Sequence, residues 1–174
     1  MRYDSICNIC GARQFLPFGQ RSDGIHVRQC ANCGHGIVEQ FQDDIEKLYG
    51  DEYYSSEPAS PIGYHDYGLT AEQGVAWAAS LVRILKPAGN VLDVGCADGR
   101  ALHLLGDGYN RFGIELNLGM ADRARQAGVE IIARDLFDSR VRELHAGSFD
   151  VVLSIAVFEH VADFREVGGF TFCS

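Results

Sequence analysis

The sequence predicts an α/β fold, a parallel sheet of about four strands with helices, preceded by a small cysteine-rich module. Two observations predict it. From Val91 onward, short apolar runs alternate with segments of helical pattern, the order that builds parallel sheets with right-handed crossovers. Ahead of them, Cys7 with Cys10 and Cys30 with Cys33 form two C-x-x-C pairs, with residues 11–29 between them. The composition is compatible with both. The chain has 174 residues, 47% of them apolar, enough for one ordinary domain or for a small module plus a modest domain.

The net charge of −9 argues against a partner with a phosphate backbone. The densest basic group, Arg123, Arg125 and Arg134, is diluted by Asp122, Glu130 and Asp135, so no nucleic-acid partner is expected. The start, "MRYDSICNIC", lacks the apolar run of a signal peptide. The longest apolar stretch, "VVLSIAVF", falls well short of the ~20 residues that cross a bilayer. No membrane partner is expected, and the expected compartment is the cytoplasm, where thiols stay reduced and spaced cysteines read as metal ligands before disulfides.

Residues 1–40 form the first expected module. Two C-x-x-C pairs at this separation match a four-cysteine zinc spacing. Two residues between thiolates let one tight turn place both sulfurs on one tetrahedral ion. Gly11 and Gly34 follow the pairs and can take the positive φ such a turn requires. "GIHVR" alternates like a strand, and Asp23-Gly24 before it offers a hairpin turn. Four thiolates leave zinc no open position, so Cys7, Cys10, Cys30 and Cys33 are expected to hold a structural zinc. His35 is a less favoured substitute ligand, and Cys96 and Cys173 lie outside the pattern.

Residues 41–69 read as a connection. "FQDDIEKLYG" has the pattern of a short helix, with Ile45, Leu48 and Tyr49 on one face and Gly50 as its end. An irregular aromatic stretch follows, in which Tyr64 and Tyr67 either cover a ligand or pack on the next domain. The last expected domain spans 70–174. Thr70 with Gln73 makes a capping box. It opens a helix expected from about Ala71 to Lys86, with Val75, Ala78, Val82 and Leu85 on one face and Pro87 as its stop.

"VLDVG" then reads as a strand, "DGRALHLL" as a helix and "RFGIEL" as a strand. "LGMADRARQA" is a helix with Asn117 as its cap, "VEIIA" a strand and "FDVVLSIAVF" a longer strand. Ligands of parallel sheets bind beyond the carboxyl ends of the strands. There stands the turn Gly95-Cys96-Ala97-Asp98-Gly99, whose glycines permit close backbone approach. Glu115 follows Asp93 by 22 positions, where an acidic side chain can accept hydrogen bonds from both ribose hydroxyls of a nucleoside. The dinucleotide fingerprint G-x-G-x-x-G is not met, because its second glycine falls on Ala97. A pyrophosphate cofactor such as NAD is therefore not expected.

"VLDVGCADGR" and "GIELN" together resemble the first two motifs of class I S-adenosylmethionine-dependent methyltransferases. "RDLFD" resembles the third motif and "SFDVVLSIAVFEHV" the fourth, in order over residues 91–161. The family motif usually has glycine where Ala97 stands. The cysteine ribbon followed by "LYGDEYY" resembles a subgroup linked to sugar, polysaccharide and natural-product methylation. The resemblance implies a Rossmann-like methyltransferase sheet and S-adenosylmethionine as cofactor. Asp93 and Gly95, Cys96, Ala97, Asp98 and Gly99 would surround its methionine part. Glu115 would hold the ribose, and Leu116 joins the cofactor-binding set. Asp135 would meet the adenine amino group with Leu136 against the ring, and Ser154 and Ile155 would lie near the methyl group. His160, after the fourth strand, is either a general base or a helix-start residue that shapes the pocket.

A complete family member resembles a seven-stranded sheet in the order 3-2-1-4-5-7-6, of which four strands are counted here. The expectation is therefore a truncated form, inactive or nearly so, whose fourth strand is an exposed apolar edge prone to self-association. The function implied is methyl transfer to a small-molecule acceptor, possibly sugar- or polysaccharide-related. The alternative is a non-catalytic zinc-ribbon and nucleoside-binding fragment.

Overall fold

The computed structural model describes residues 6–38, 49–54, 67–139, 141 and 147–161. The chain divides into two compact units, one built on the N-terminal residues and one on Glu46–His160.

The first unit is a three-stranded antiparallel ribbon of β1 (Phe15–Gln20), β2 (His26–Cys30) and β3 (Gly36–Val38), in that order. The hairpin turn expected at Asp23-Gly24 is present. Arg21 N donates to Ile25 O at 2.9 Å and Gly24 takes φ +85°, the left-handed position of a three-residue hairpin loop. Asp23 Oδ1 accepts from Ile25 N at 3.2 Å and holds the loop. The sequence reading missed β1. Pro17 and Gly19 interrupt its alternation, and the register of β1 on β2 shifts between them. The only buried apolar side chains of this unit, among the described residues, are Cys7, Cys30 and Ile37.

The second unit opens with α1 (Tyr67–Leu85), followed by β4 (Gly89–Val94), α2 (Arg100–His103), β5 (Tyr109–Ile114), α3 (Leu118–Gln126), β6 (Glu130–Ala133) and β7 (Val151–Ser154). The four strands form one parallel sheet in the order β6-β5-β4-β7. This is the Rossmann-like arrangement 3-2-1-4 expected for the first four strands. β7 has one strand neighbour among the described residues.

Four expectations need correction. The helix α1 starts at Tyr67, so Thr70 lies inside it and does not cap it; a capping box contributes about 1 kcal/mol and gives way readily to tertiary context. Leu85 is 72% exposed. It has the angular position of Ala78 but closes the last turn of the helix, and periodicity fixes an angle without supplying a neighbour. The first crossover helix is a single turn, Arg100–His103. The strand expected over 149–158 is only Val151–Ser154, because Ala156 turns the backbone to φ +55°. The short helix expected at 41–50 lies outside the described residues except for Tyr49 and Gly50, as does Tyr64.

Ala79 and Val82 of α1 pack with Val91, Cys96, Leu102, Leu105, Ala124 and Val129 in the main core, against which Val151 and Leu153 also lie. Gly113 of β5 is small for a reason. A Cβ there would come within 2.5 Å of Cys96 Sγ and 3.0 Å of Ile131 Cδ1. The glycine thus lets the turn after β4 sit tightly on β5. The outer side of α1 carries Trp77, Leu81 and Ile84, all exposed. Among the described residues no helix is long and apolar enough to cross a membrane.

Candidate functional site

In the ribbon unit the two C-x-x-C turns are built alike. Gly11 N donates to Cys7 O at 2.9 Å and Gly34 N to Cys30 O at 3.0 Å, with φ +74° and +78° at the two glycines. The positive φ expected at these positions is present. The turns bring the four thiol sulfurs within 4.8 Å of one another, with no His, Asp or Glu among the described residues joining them. Cys7 and Cys33 sulfurs are 3.6 Å apart, as are those of Cys10 and Cys30. Four sulfurs at about 2.3 Å from a tetrahedral zinc lie about 3.8 Å from each other, so the cluster fits that ion. Hydrogen bonds from Asn32 and from the Ala12 backbone bring the Cys10 thiol down to about 6, whereas Cys33, against a backbone hydrogen bond at His35, is pushed up to about 12 by burial and the neighbouring thiols. Without an ion, one thiol of the cluster therefore favours the thiolate and another resists it. His35 stays outside the cluster, and its carbonyl accepts from Cys30 N at 2.8 Å.

In the α/β unit the strand register defines the other candidate site. Val94 is level with Ile114 on one side and with Ser154 on the other. The residues that follow, from Gly95, Glu115 and Ile155, therefore emerge along one carboxyl edge. The turn after β4 folds onto the end of β5, with Gly95 N and Cys96 N both donating to Ile114 O, at 2.8 and 3.1 Å. Gly95 and Gly99 take φ +73° and +77°. A Cβ on Gly95 would strike Val157, and one on Gly99 would approach Val129 Cγ2 to 2.8 Å, so both positions exclude larger residues.

Glu115 is 4% exposed. Its two oxygens accept from Ala97 N at 2.8 Å and Asn117 N at 2.7 Å. Burial pushes its carboxyl up, and the backbone hydrogen bonds pull it back. Asn117 caps α3 as expected, accepting from Met120 N at 2.8 Å, and donates to the Tyr49 carbonyl at 2.8 Å. Asp93, also 4% exposed, lies near enough that burial and the Glu115 charge push it up to about 8.

The remaining expected residues are placed as follows. The Cys96 side chain is buried in the core against Gly113, so only its backbone faces the turn. Asp98 pairs with Arg100 at 2.9 Å. Asp135 is exposed and accepts from Phe137 N at 2.9 Å, while Leu136 beside it is buried. Leu116 is half-buried, and its carbonyl accepts from the Arg134 guanidinium at 3.0 Å. Ser154 Oγ is buried with no hydrogen-bond partner among the described residues. His160 closes a 3-10 turn, with its Nε2 3.9 Å from Glu159 Oε1 and its ring edge-on to Tyr49 at 5.3 Å. The sequence reading did not foresee that Tyr49 joins the α3 cap to His160. No local pattern signals it, because the three residues lie far apart in the chain.

Ala97 stands where the resembled motif usually has glycine, and it carries a cost. Its φ is +48°, a left-handed conformation that costs a residue with a Cβ ~1–2 kcal/mol. Ala97→Gly is expected to raise stability by about 0.5–1 kcal/mol, the relief being partly offset by glycine's greater freedom in the unfolded chain. Urea unfolding should show a higher midpoint at an unchanged slope; an unchanged or lower midpoint would show that Ala97 is unstrained.

The second unit thus joins a parallel sheet, a glycine turn after β4 and a buried carboxylate after β5 along one edge. Residues 92–168 match the family profile described as a methyltransferase domain. Among solved structures the chain is similar to SAM-bound CalS10, an amino pentose methyltransferase from Micromonospora echinaspora involved in calicheamicin biosynthesis, with 31% identity over 51% of this chain and 37% of that one, at a TM-score of 0.38. It is also similar to DesVI of Streptomyces venezuelae, with 26% identity over 58% of this chain and 43% of that one, at a TM-score of 0.43. The chain thus spans less than half the length of either structure. No curated protein matches it.

Proposed function

We propose that the chain is an S-adenosylmethionine-dependent methyltransferase, or part of one, that acts on a small molecule and carries a structural zinc in its ribbon. The observation that carries the reading is Glu115, a buried carboxylate fixed at the end of the second strand beside the glycine turn. The residues fit the cofactor on two further counts. The missing side chain at Gly95 keeps the turn narrow, and the buried Ser154 Oγ lacks a partner that a bound ligand would supply.

In this reading Glu115 holds the ribose, and Asp93 with the Gly95–Gly99 backbone encloses the methionine part. Leu116 and Leu136 flank the base, Asp135 meets its amino group, and Ser154 and Ile155 stand by the methyl group. When bound, S-adenosylmethionine supplies an activated methyl group. The protein's own contribution is to hold donor and acceptor in line, which accounts for much of the rate of such a displacement. His160, with its ring on Tyr49, shapes the wall of the pocket in this reading, since methyl transfer does not always need a base. The sugar- or polysaccharide-related acceptor rests on the ribbon followed by "LYGDEYY" and on the amino pentose methyltransferase among the similar structures. The bounds 1–40, 41–69 and 70–174 are kept as the proposed ribbon, connection and catalytic domain, and association through the edge of β7 is part of the proposal.

Calorimetry with S-adenosylmethionine, S-adenosylhomocysteine and NAD tests the reading. The first two are expected to bind and NAD is not. Binding of NAD alone would overturn it.

A further inference from the structure

Asp93 and Glu115 are buried carboxylates with unequal surroundings. They stand on adjacent strands, Asp93 level with Gly113 and Glu115 one residue past the end of β5. Both oxygens of Glu115 accept backbone N–H groups, which favour its charged form. Asp93 receives no hydrogen bond among the described residues, and its surroundings are apolar burial and the charge of Glu115. Two buried negative charges without a cation are costly, so one of the two keeps a proton. The distribution of donors assigns the charge to Glu115 and the proton to Asp93.

The other groups around the pair do not relieve it. The Cys96 thiol is itself pushed up, by burial and then by Asp93 and Glu115. Asp98 adds a further negative charge, held by Arg100 of α2 at 2.9 Å. From β7 the polar group level with Val94 is Ser154, which is uncharged. From the end of β6, Arg134 directs its guanidinium to the Leu116 carbonyl. His103 of α2 is exposed. Among the described residues no Lys, Arg or His nitrogen pairs with Asp93 or Glu115.

We propose that Asp93 holds a proton while the site is empty and surrenders it to solvent when a positively charged nucleoside ligand settles beside the pair, so that the site selects its ligand by charge. The proposal rests on the donor-binding reading above. The one bond that breaks is the Asp93 O–H, whose proton passes to water or buffer; the ligand's positive charge then replaces it as the partner of the two carboxylates. A neutral nucleoside cannot make that exchange and leaves the proton in place. The site therefore prefers the charged donor to uncharged nucleosides of the same shape, and more so as pH rises.

The test is titration calorimetry of the full chain at pH 7 in two buffers of different ionisation enthalpy, with S-adenosylmethionine and with the neutral 5′-methylthioadenosine. S-adenosylmethionine is expected to release about one proton and methylthioadenosine roughly none. From about pH 6 to 7, below the Asp93 value of about 8, the affinity for S-adenosylmethionine should rise nearly tenfold and then flatten toward pH 8, while that for methylthioadenosine stays flat. Asp93→Asn, a neutral mimic of the protonated acid, should abolish the proton release and the slope. Glu115→Gln, which removes the partner charge, should also reduce the release. S-adenosylmethionine binding without proton release, or release that persists in Asp93→Asn, overturns the proposal alone. Failure of both nucleosides to bind overturns the donor reading and the proposal with it.

Discussion

Replacing Cys10 by serine is expected to strip the ribbon of its metal and unfold it, leaving the α/β unit's own transition in place. The reason is how little else holds residues 6–38 together. Two of the three buried apolar side chains there are themselves ligand candidates, Cys7 and Cys30, and the third is Ile37. Leu16 and Phe18 of β1 are 57% and 68% exposed and contribute little burial. With the proposed zinc bound, a ribbon of this size would take its folding energy from the ion, which supplies about 10–16 kcal/mol in comparable zinc peptides. Metal analysis of protein purified without chelator should give about one zinc per chain, and Cys10→Ser should give almost none. Proteolysis within 6–38 should become rapid in the variant and in chelator-treated wild type. A wild-type protein free of metal, or a variant ribbon as resistant as the parent, would refute the assignment.

Glu115→Ala is expected to produce the second large effect, in two separable measurements. The side chain is an acceptor for Ala97 N–H and Asn117 N–H. Removing it leaves two largely buried donors without partners, at about 1–3 kcal/mol each. Urea unfolding should therefore show a loss of about 2–4 kcal/mol, the lower part of that range applying if water enters the space. Independently, S-adenosylmethionine binding should weaken by about 1.5–3 kcal/mol, the scale of a charge-assisted hydrogen bond to the ribose. Unchanged stability would mean that the two backbone bonds do not form in solution. Unchanged affinity, with stability lost, would mean that Glu115 only braces the turn.

The parts of this protein that could be read from its sequence are those encoded over a few residues. The C-x-x-C pairs carry their own turns, since Gly11 and Gly34 adopt the conformation that places two sulfurs together. The alternation of strand and helix after Val91 specified the parallel sheet, and Asn117 specified the start of α3. What could not be read depends on neighbours distant in the chain. An apolar run from Val151 to Phe158 does not reveal that Ala156 bends it, because Val157 is as useful packed over Gly95 as it would be in a strand. Leu85 looked like core by period and is exposed. At the site, Asp93 and Glu115 were each recognisable, but their mutual burial, and the orphaned Ser154 hydroxyl, arise only from the register of β4 with β5 and β7. Asp135, proposed to meet the base, also accepts from Phe137 N at 2.9 Å, a local contact that no motif announces.

The outer face of α1 has an optical consequence. Trp77 is the chain's only tryptophan and is 61% exposed, on the side of the helix that also presents Leu81 and Ile84. Its indole already meets water in the folded protein, so melting of the core beneath Ala79 and Val82 changes its surroundings little. Intrinsic fluorescence is thus a poor reporter of unfolding here and a sensitive reporter of anything that settles on that helix face, where an apolar covering would shift the emission toward the blue.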